Sequence, residues 1–456
     1  MVYTKLIYSM HKNIVALFIL CCAFVANAQI NNPYTSFGVG ERTNSLHPVF
    51  SGMGNQSVTY VHPSVLNVSN PASYSFLRYQ YPIFSLGVSS RLSFNNDNGV
   101  KEFNNATNIS EIAFGMSFAK RFGIAFGFKP MYKKNYSFVE TKKLIDDSVR
   151  YEYEGKGALN NAFVGFSINL LNYDSLKWSI GGNVGALFGA MTDERRSSIV
   201  STLTNAGGNE TRRQQVKSFY YEVGTLLEYR FKKENKLTVG ASVEPMQNIK
   251  SVYDRQLSYS ATDVTNPNTF QLLSESGEIK GKIVFATSYS VGASYARYIT
   301  TNKKDGNKGK AHLTFSLGYN ATDFSKYKEV YDTVTYSYGF NNTASYQFGM
   351  QFIPETQIVG SAIPKLFERS SYRLGFHYST LPYMHLGKNV NEWAITCGLG
   401  LPVLVDKRLD SSIQLGIGVG QRGTANALKE NFVTINLGLL IAPSINDRWF
   451  IKRKVD

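Results

Sequence analysis

Cysteine is almost missing from this sequence. Three occur in 456 residues, and Cys21 and Cys22 sit together in an apolar stretch near the N-terminus. Cys397 alone is left for the body of the chain, so no internal disulfide can form and no cysteine-rich zinc site can be built. Long apolar runs are missing as well. Past residue 28 none approaches the ~20 residues of a spanning helix, which excludes a transmembrane helix there. Charge is sparse, at 18% of residues, and tilted, with 48 Lys+Arg against 33 Asp+Glu. A basic excess can signal nucleic acid. Here the cations are scattered among turns and tails, so lipid head groups suit them better and no nucleic-acid partner is expected.

Catalytic signatures are absent too. There is no G-x-S-x-G and no H-E-x-x-H. Gly418, Gly420 and Gly423 match the letters of a dinucleotide fingerprint. That motif needs a strand, a tight turn and a helix, and these glycines fall on a strand and its loop. No enzyme, cofactor or metal is expected.

The first stretch reads as a secretory signal peptide, residues 1–28. Lys5 and Lys12 supply the positive region, 14–24 is apolar, and Ala26-Asn27-Ala28 is a small-residue cleavage site ahead of Gln29. Leu20 before Cys21 is too large for a lipoprotein site.

What is plentiful is aromatic residues and glycine, with 30 Phe, 29 Tyr and 38 Gly. They fall in a period-two pattern. Ile413, Leu415, Ile417 and Val419 alternate with Gln414, Gly416, Gly418 and Gly420. Val433, Ile435, Leu437 and Leu439 alternate with Thr434, Asn436, Gly438 and Leu440. This is the pattern of a strand with lipid on one side and a wet lumen on the other. Fourteen such segments can be marked, near 84–94, 110–119, 121–138, 158–171, 176–190, 216–231, 236–247, 280–298, 311–320, 343–353, 370–379, 390–401, 411–420 and 431–442. The spacers alternate in length. Long loops are expected at 95–109, 139–157, 191–215 and 248–279, with short turns at 120–121, 172–174 and 232–235. Outer-membrane barrels alternate in this way, with short turns on the periplasmic side. The expected fold is all-β, a transmembrane antiparallel β-barrel of about 14 strands over 81–442, in the outer membrane, with both termini periplasmic. The connection 354–369 is too long for a periplasmic turn. A periplasmic tail is expected at 443–456, where Trp449 and Phe450 precede three cations.

Residues 29–80 do not alternate. Asn32-Pro33, Gly38-Val39-Gly40, Gly52-Met53-Gly54 and Asn70-Pro71-Ala72-Ser73 are dense turn formers among scattered apolar residues. A compact plug filling the lumen is expected. Gly52-Met53-Gly54 and Asn70-Pro71-Ala72 ahead of the first strand resemble the hatch of the FadL-like long-chain fatty acid transport barrels. The ending, from Gly420-Gln421-Arg422-Gly423-Thr424 to Lys452-Arg453-Lys454, resembles the version found in Bacteroidetes. The resemblance implies a fourteen-stranded barrel with an N-terminal plug.

It also implies passive transport of hydrophobic small molecules such as long-chain fatty acids. Phe37, Phe50, Met53, Tyr60 and Val61 of the plug are then the residues expected to contact cargo. Arg91, Glu222, Glu244, Arg373 and His377 are expected as polar lumen residues, with no catalytic set among them. The alternative is a structural or interaction barrel within an outer-membrane secretion or assembly complex, whose partners are proteins as well as lipid. A continuous apolar path would favour the first. A lumen filled by its plug would favour the second.

Overall fold

The computed structural model describes residues 32–442, except 44–45, 98–99, 144–146, 201–205, 233, 263, 265, 303–307, 357–364, 386, 406–407 and 425–428. The expected signal peptide and C-terminal tail lie outside the described residues.

A closed antiparallel barrel of 14 strands makes up most of the chain. The wall strands are β1 (Ile83–Asp97), β2 (Val100–Ala119), β3 (Phe122–Lys143), β4 (Ser148–Asn172), β5 (Leu176–Val200) and β6 (Gly207–Phe231). Strand β7 runs as two pieces, Asn235–Glu244 and Gln247–Ser260, interrupted at Pro245. Strand β8 joins Gln271–Glu275, Ile279–Phe285 and Ser288–Asn302. Strand β9 is Lys308–Thr322 with Lys328–Tyr331, and β10 is Val334–Tyr336 with Thr343–Ile353. The last four are β11 (Ser371–His385), β12 (Lys388–Val405), β13 (Arg408–Gly423) and β14 (Lys429–Ile441). Neighbours in sequence pair throughout, and β14 closes on β1 with Phe84 opposite Ile441. Closure of β14 on β1 leaves no unpaired terminal strand, as a bilayer demands.

The faces follow the sequence alternation. Ile435 is 38% exposed while Asn436 is 5% exposed and Gln414 3%. Phe126, Phe166, Phe219 and Val239 stand on the outside. The dinucleotide-like glycines lie within β13, paired to β12 and β14, with no helix after them among the described residues.

The expected long loops are a correction. Segments 95–109, 139–157, 191–215 and 248–279 are mostly strand. Strands β4, β5 and β6 have 25 residues each. At 3.2–3.4 Å per residue that is about 80 Å, far beyond the ~30 Å hydrocarbon layer even for tilted strands. Their far ends carry both signs of charge, with Arg196 on Glu152 at 3.3 Å and Arg255 on Glu210 at 2.6 Å. Ladder pairing needs no apolar face, so a strand with two wet faces reads like a loop. The 354–369 connection ends in a short helix, Leu366–Arg369.

The N-terminal segment before β1 is held by a repeated local device. Asn32-Pro33, His47-Pro48 and Asn70-Pro71 each start a short helical turn. The side chain before the proline accepts an N–H from the first turn, and the proline has no N–H to leave unpaired. Gly54 has φ +65, and a Cβ there would lie 2.5 Å from the backbone oxygens of Phe348 and Phe376. Only glycine brings the segment that close to β10 and β11.

An outward-facing arginine in the bilayer midplane costs ~2–4 kcal/mol. Ile435→Arg is therefore expected to abolish the heat-shifted folded band on gels. Thr434→Glu puts a carboxylate opposite Arg91 inside the lumen and is expected to keep it. Equal loss in both would overturn the face assignment.

Candidate functional site in the barrel lumen

The wall is not evenly laced. Pairing between β2 and β3 runs from Ala119–Phe122 to Ile112–Phe128, and among the described residues no pair continues it. Beyond that point β2 pairs only with β1, and β3 only with β4 on its other side. The ladder shifts register at Pro130, which has no N–H to donate.

The freed edge of β3 is taken up by the N-terminal segment. Glu41–Arg42 forms a two-residue strand opposite Lys133 and Tyr132. The Thr43 N–H donates to the Met131 carbonyl at 2.9 Å, and the Asn32 N–H to the Asn135 carbonyl at 3.0 Å. The Lys133 ammonium reaches across the split to Asn108 of β2.

The two side chains of this short strand then tie it to distant parts of the wall. Glu41 Oε1 meets Arg422 Nη2 of β13 at 2.6 Å. Arg42 pairs with Glu244 of β7. Arg422, only 2% exposed, also holds Glu392 of β12 at 2.7 Å. Arg91 of β1 bridges Glu392 at 3.1 Å and Glu430 of β14 at 3.0 Å, and lies 3.6 Å over the Phe432 ring. His377 Nε2 is 3.5 Å from Glu392. Farther around, Lys129 pairs with Glu222 at 2.8 Å, and Glu222 accepts from Asn183, which in turn accepts the Tyr74 hydroxyl at 3.0 Å.

Arg91, Glu222, Glu244, Arg373 and His377 therefore line the inside, in this charged web or near it. The residues expected to contact cargo divide. Phe50 is fully buried with Val49, Leu66, Tyr74 and Leu440 in a core between segment and wall. Met53 is fully buried beside a void of about 40 Å³. Phe37 is 43% exposed and stacks on Tyr383 at 5.8 Å, with Phe340 edge-on at 6.5 Å. Tyr60 and Val61 line a separate cavity at the turn end of the barrel. Two cavities, about 240 and 150 Å³, flank the Glu41–Arg42 strand. Glu111, Lys129, Glu222 and Glu244 line the larger, and Arg91, Lys133, Glu392 and Arg422 the smaller.

Sequence reasoning missed Glu41, Glu392, Arg422 and Glu430. Carrying the β12–β14 alternation two residues further places the last three on the lumen side, but nothing local shows that they meet. It also passed over His47 and His62. Each accepts a backbone N–H on Nδ1, from Val49 at 3.4 Å and Ser64 at 3.1 Å. A ring nitrogen can accept only when unprotonated. Burial, reinforced by nearby cations, pulls both imidazoles down to about 3.

Among the described residues no group of histidine, cysteine and carboxylates could hold a metal. A family model described as BamG matches residues 10–456. No curated protein matches the sequence. Among solved structures, the Ralstonia pickettii toluene transporter TbuX is similar at TM-score 0.52 and 12% identity, covering 87% of this chain and 97% of its own. The CymD monoaromatic hydrocarbon channel has TM-score 0.51 and 11% identity over 87% and 97%. The Pseudomonas putida toluene transporter TodX has TM-score 0.50 and 12% identity over 91% and 99%. At such identities the likeness is one of fold. The expected FadL-like barrel is the one observed.

Two outcomes follow for the segment. Breaking a buried ion pair from one side costs ~3–5 kcal/mol, because the partner is left charged and alone. Arg422→Gln should therefore expose the Arg42 bond to trypsin while the barrel stays heat-shifted, and an unchanged cleavage rate would contradict the tie. For His47 and His62 the folded value lies below the free one. The unfolded chain takes up protons first, so stability is full above pH 6.5 and falls as pH drops toward 3. The thermal midpoint should fall between pH 6.5 and 4, and His47→Asn with His62→Asn should flatten that fall. An equal slope in the double variant would refute the assignment.

Proposed function

The chain belongs to the BamG family, and from that premise we propose an outer-membrane barrel, closed by its own hatch, that serves as a structural and interaction subunit of a secretion or assembly complex. Residues 29–80 are the hatch, both termini face the periplasm, and the long hairpins face outward. The observation that carries this reading is the Glu41–Arg42 strand, braced to β3, β7 and β13 inside the lumen. Carboxylates and cations stand in the walls of both cavities beside it, in the larger one among apolar side chains such as Val39, Met131 and Phe340. A hydrocarbon in them would strip water from those charges, and the apolar hatch residues Phe50 and Met53 are already used against the barrel. The strand extensions, rich in charge of both signs, offer partners a broad wet surface.

A second reading is passage of hydrophobic small molecules. The split between β2 and β3 favours it, as does the collar of Phe37, Phe324, Phe340 and Tyr383 around the larger cavity. The fold shared with hydrocarbon channels adds to it.

The test is cross-linking in intact cells, followed by mild extraction and mass spectrometry of proteins and lipids. The subunit reading expects stoichiometric links from the 148–156 and 191–213 hairpins to one set of proteins, lost when those hairpins are trimmed. Deleting 30–70 should raise conductance in planar bilayers without changing uptake of a fatty acid. Absent partners, with uptake reduced by the deletion, would replace this reading by the second.

A further inference from the structure

The turn end of the lumen holds a cavity of about 510 Å³ that the hatch and wall function does not use. It lies where β7 to β13 meet their turns, under the His62-Pro63-Ser64 bend of the hatch. Its charged lining is one-sided. Arg78, Lys236, Arg369 and Arg373 line it with His62 and His312, and Glu355 is the one carboxylate among the lining residues. Glu355 already accepts the Lys310 N–H at 3.1 Å. Lys236 has a partner outside the cavity, Glu228 at 3.1 Å.

Arg373 and Arg369 have no carboxylate among the acceptors seen for them. Arg373 is 6% exposed, and its Nη1 and Nε donate to Gln414 at 2.7 Å and Gln351 at 3.3 Å. Both acceptors are neutral amides. Arg369 has Nε and Nη1 shielded from water with no acceptor, and so has Nε2 of His312. A shielded cation facing amides and empty donors is costly unless an anion joins it. His62 accepts on Nδ1, so its neutral ring carries the proton on Nε2 and adds another donor.

We propose that this cavity is an anion site for a phosphate group, gripped by Arg369 and Arg373 and completed by Lys236 and His62. Paired guanidinium forks match phosphate oxygens in geometry as well as charge. The space is larger than one carboxylate fills and offers donors on several sides. The phosphate has two sources with the same chemistry. One is a free phosphate or phosphomonoester. The other is a lipid head group, which the exposed Leu366 and Phe367 beside Arg369 would admit from the inner leaflet.

Full-length protein in maltoside detergent separates the outcomes. Inorganic phosphate is titrated calorimetrically, and phosphatidylglycerol retention is read by native mass spectrometry. Phosphate binding supports the free anion, and lipid retention without phosphate binding supports the head group. In either case Arg369→Gln should weaken binding at least tenfold, with the heat-shifted band intact to show the barrel is folded. Lys236→Gln is the second variant, expected to weaken it less. Failure of both probes to bind, or equal binding by folded Arg369→Gln, would overturn the site. Neither result bears on whether hairpin partners exist, so this proposal and the subunit reading can fail separately.

Discussion

The free edge of β3 beyond Phe128 is the constraint on which the lumen is organised. A strand edge inside a closed barrel has backbone donors and acceptors that must be paired. Here β2 does not pair them, and the N-terminal segment does, from Asn32 to Thr43. Once the backbone of Glu41 and Arg42 is fixed on β3, their side chains point across the lumen in opposite senses. One finds Arg422, and the other finds Glu244. The remaining charges line up behind these two, because each buried ion needs its own partners.

The arrangement bears directly on what the lumen can do. The fold is shared with barrels named for toluene and other monoaromatic hydrocarbons. Fold does not carry function with it. An apolar cargo needs apolar walls with few polar anchors. The aromatic collar near Phe37 gives the larger cavity one such wall, while Glu111, Lys129, Glu222 and Glu244 line it elsewhere. The same web ties the N-terminal segment to β3, β7 and β13 at once. The strand extensions place their surfaces clear of the lipid.

Much of the architecture could be read from the sequence, for a definite reason. Lipid demands an apolar residue at every second position, so Ile413 to Val419 and Val433 to Leu439 announce both strand and face. All fourteen marked segments are wall strands. Where the strands leave lipid that demand ends. Residues 192–198 keep pairing with polar side chains on both faces, and they read as a loop. The motifs of the N-terminal segment were visible as turn chemistry, and Asn70 and Gly54 have local reasons. Its contacts were not visible. Glu41 and Arg422 are 381 positions apart, and no local periodicity relates them. Arg373 was legible from its strand, but Arg369 was hidden, since it belongs to a connection with no strand pattern.

Residue-resolved hydrogen exchange across 32–43 in the folded barrel tests the account most directly. If this segment supplies the missing ladder of β3, the Asn32 and Thr43 amides should exchange as slowly as amides of β3 and β4 that are paired to each other. Exchange of those amides at the rate of an open loop, with β3 and β4 still protected, would show that the hatch is not braced to the wall and would contradict the central claim.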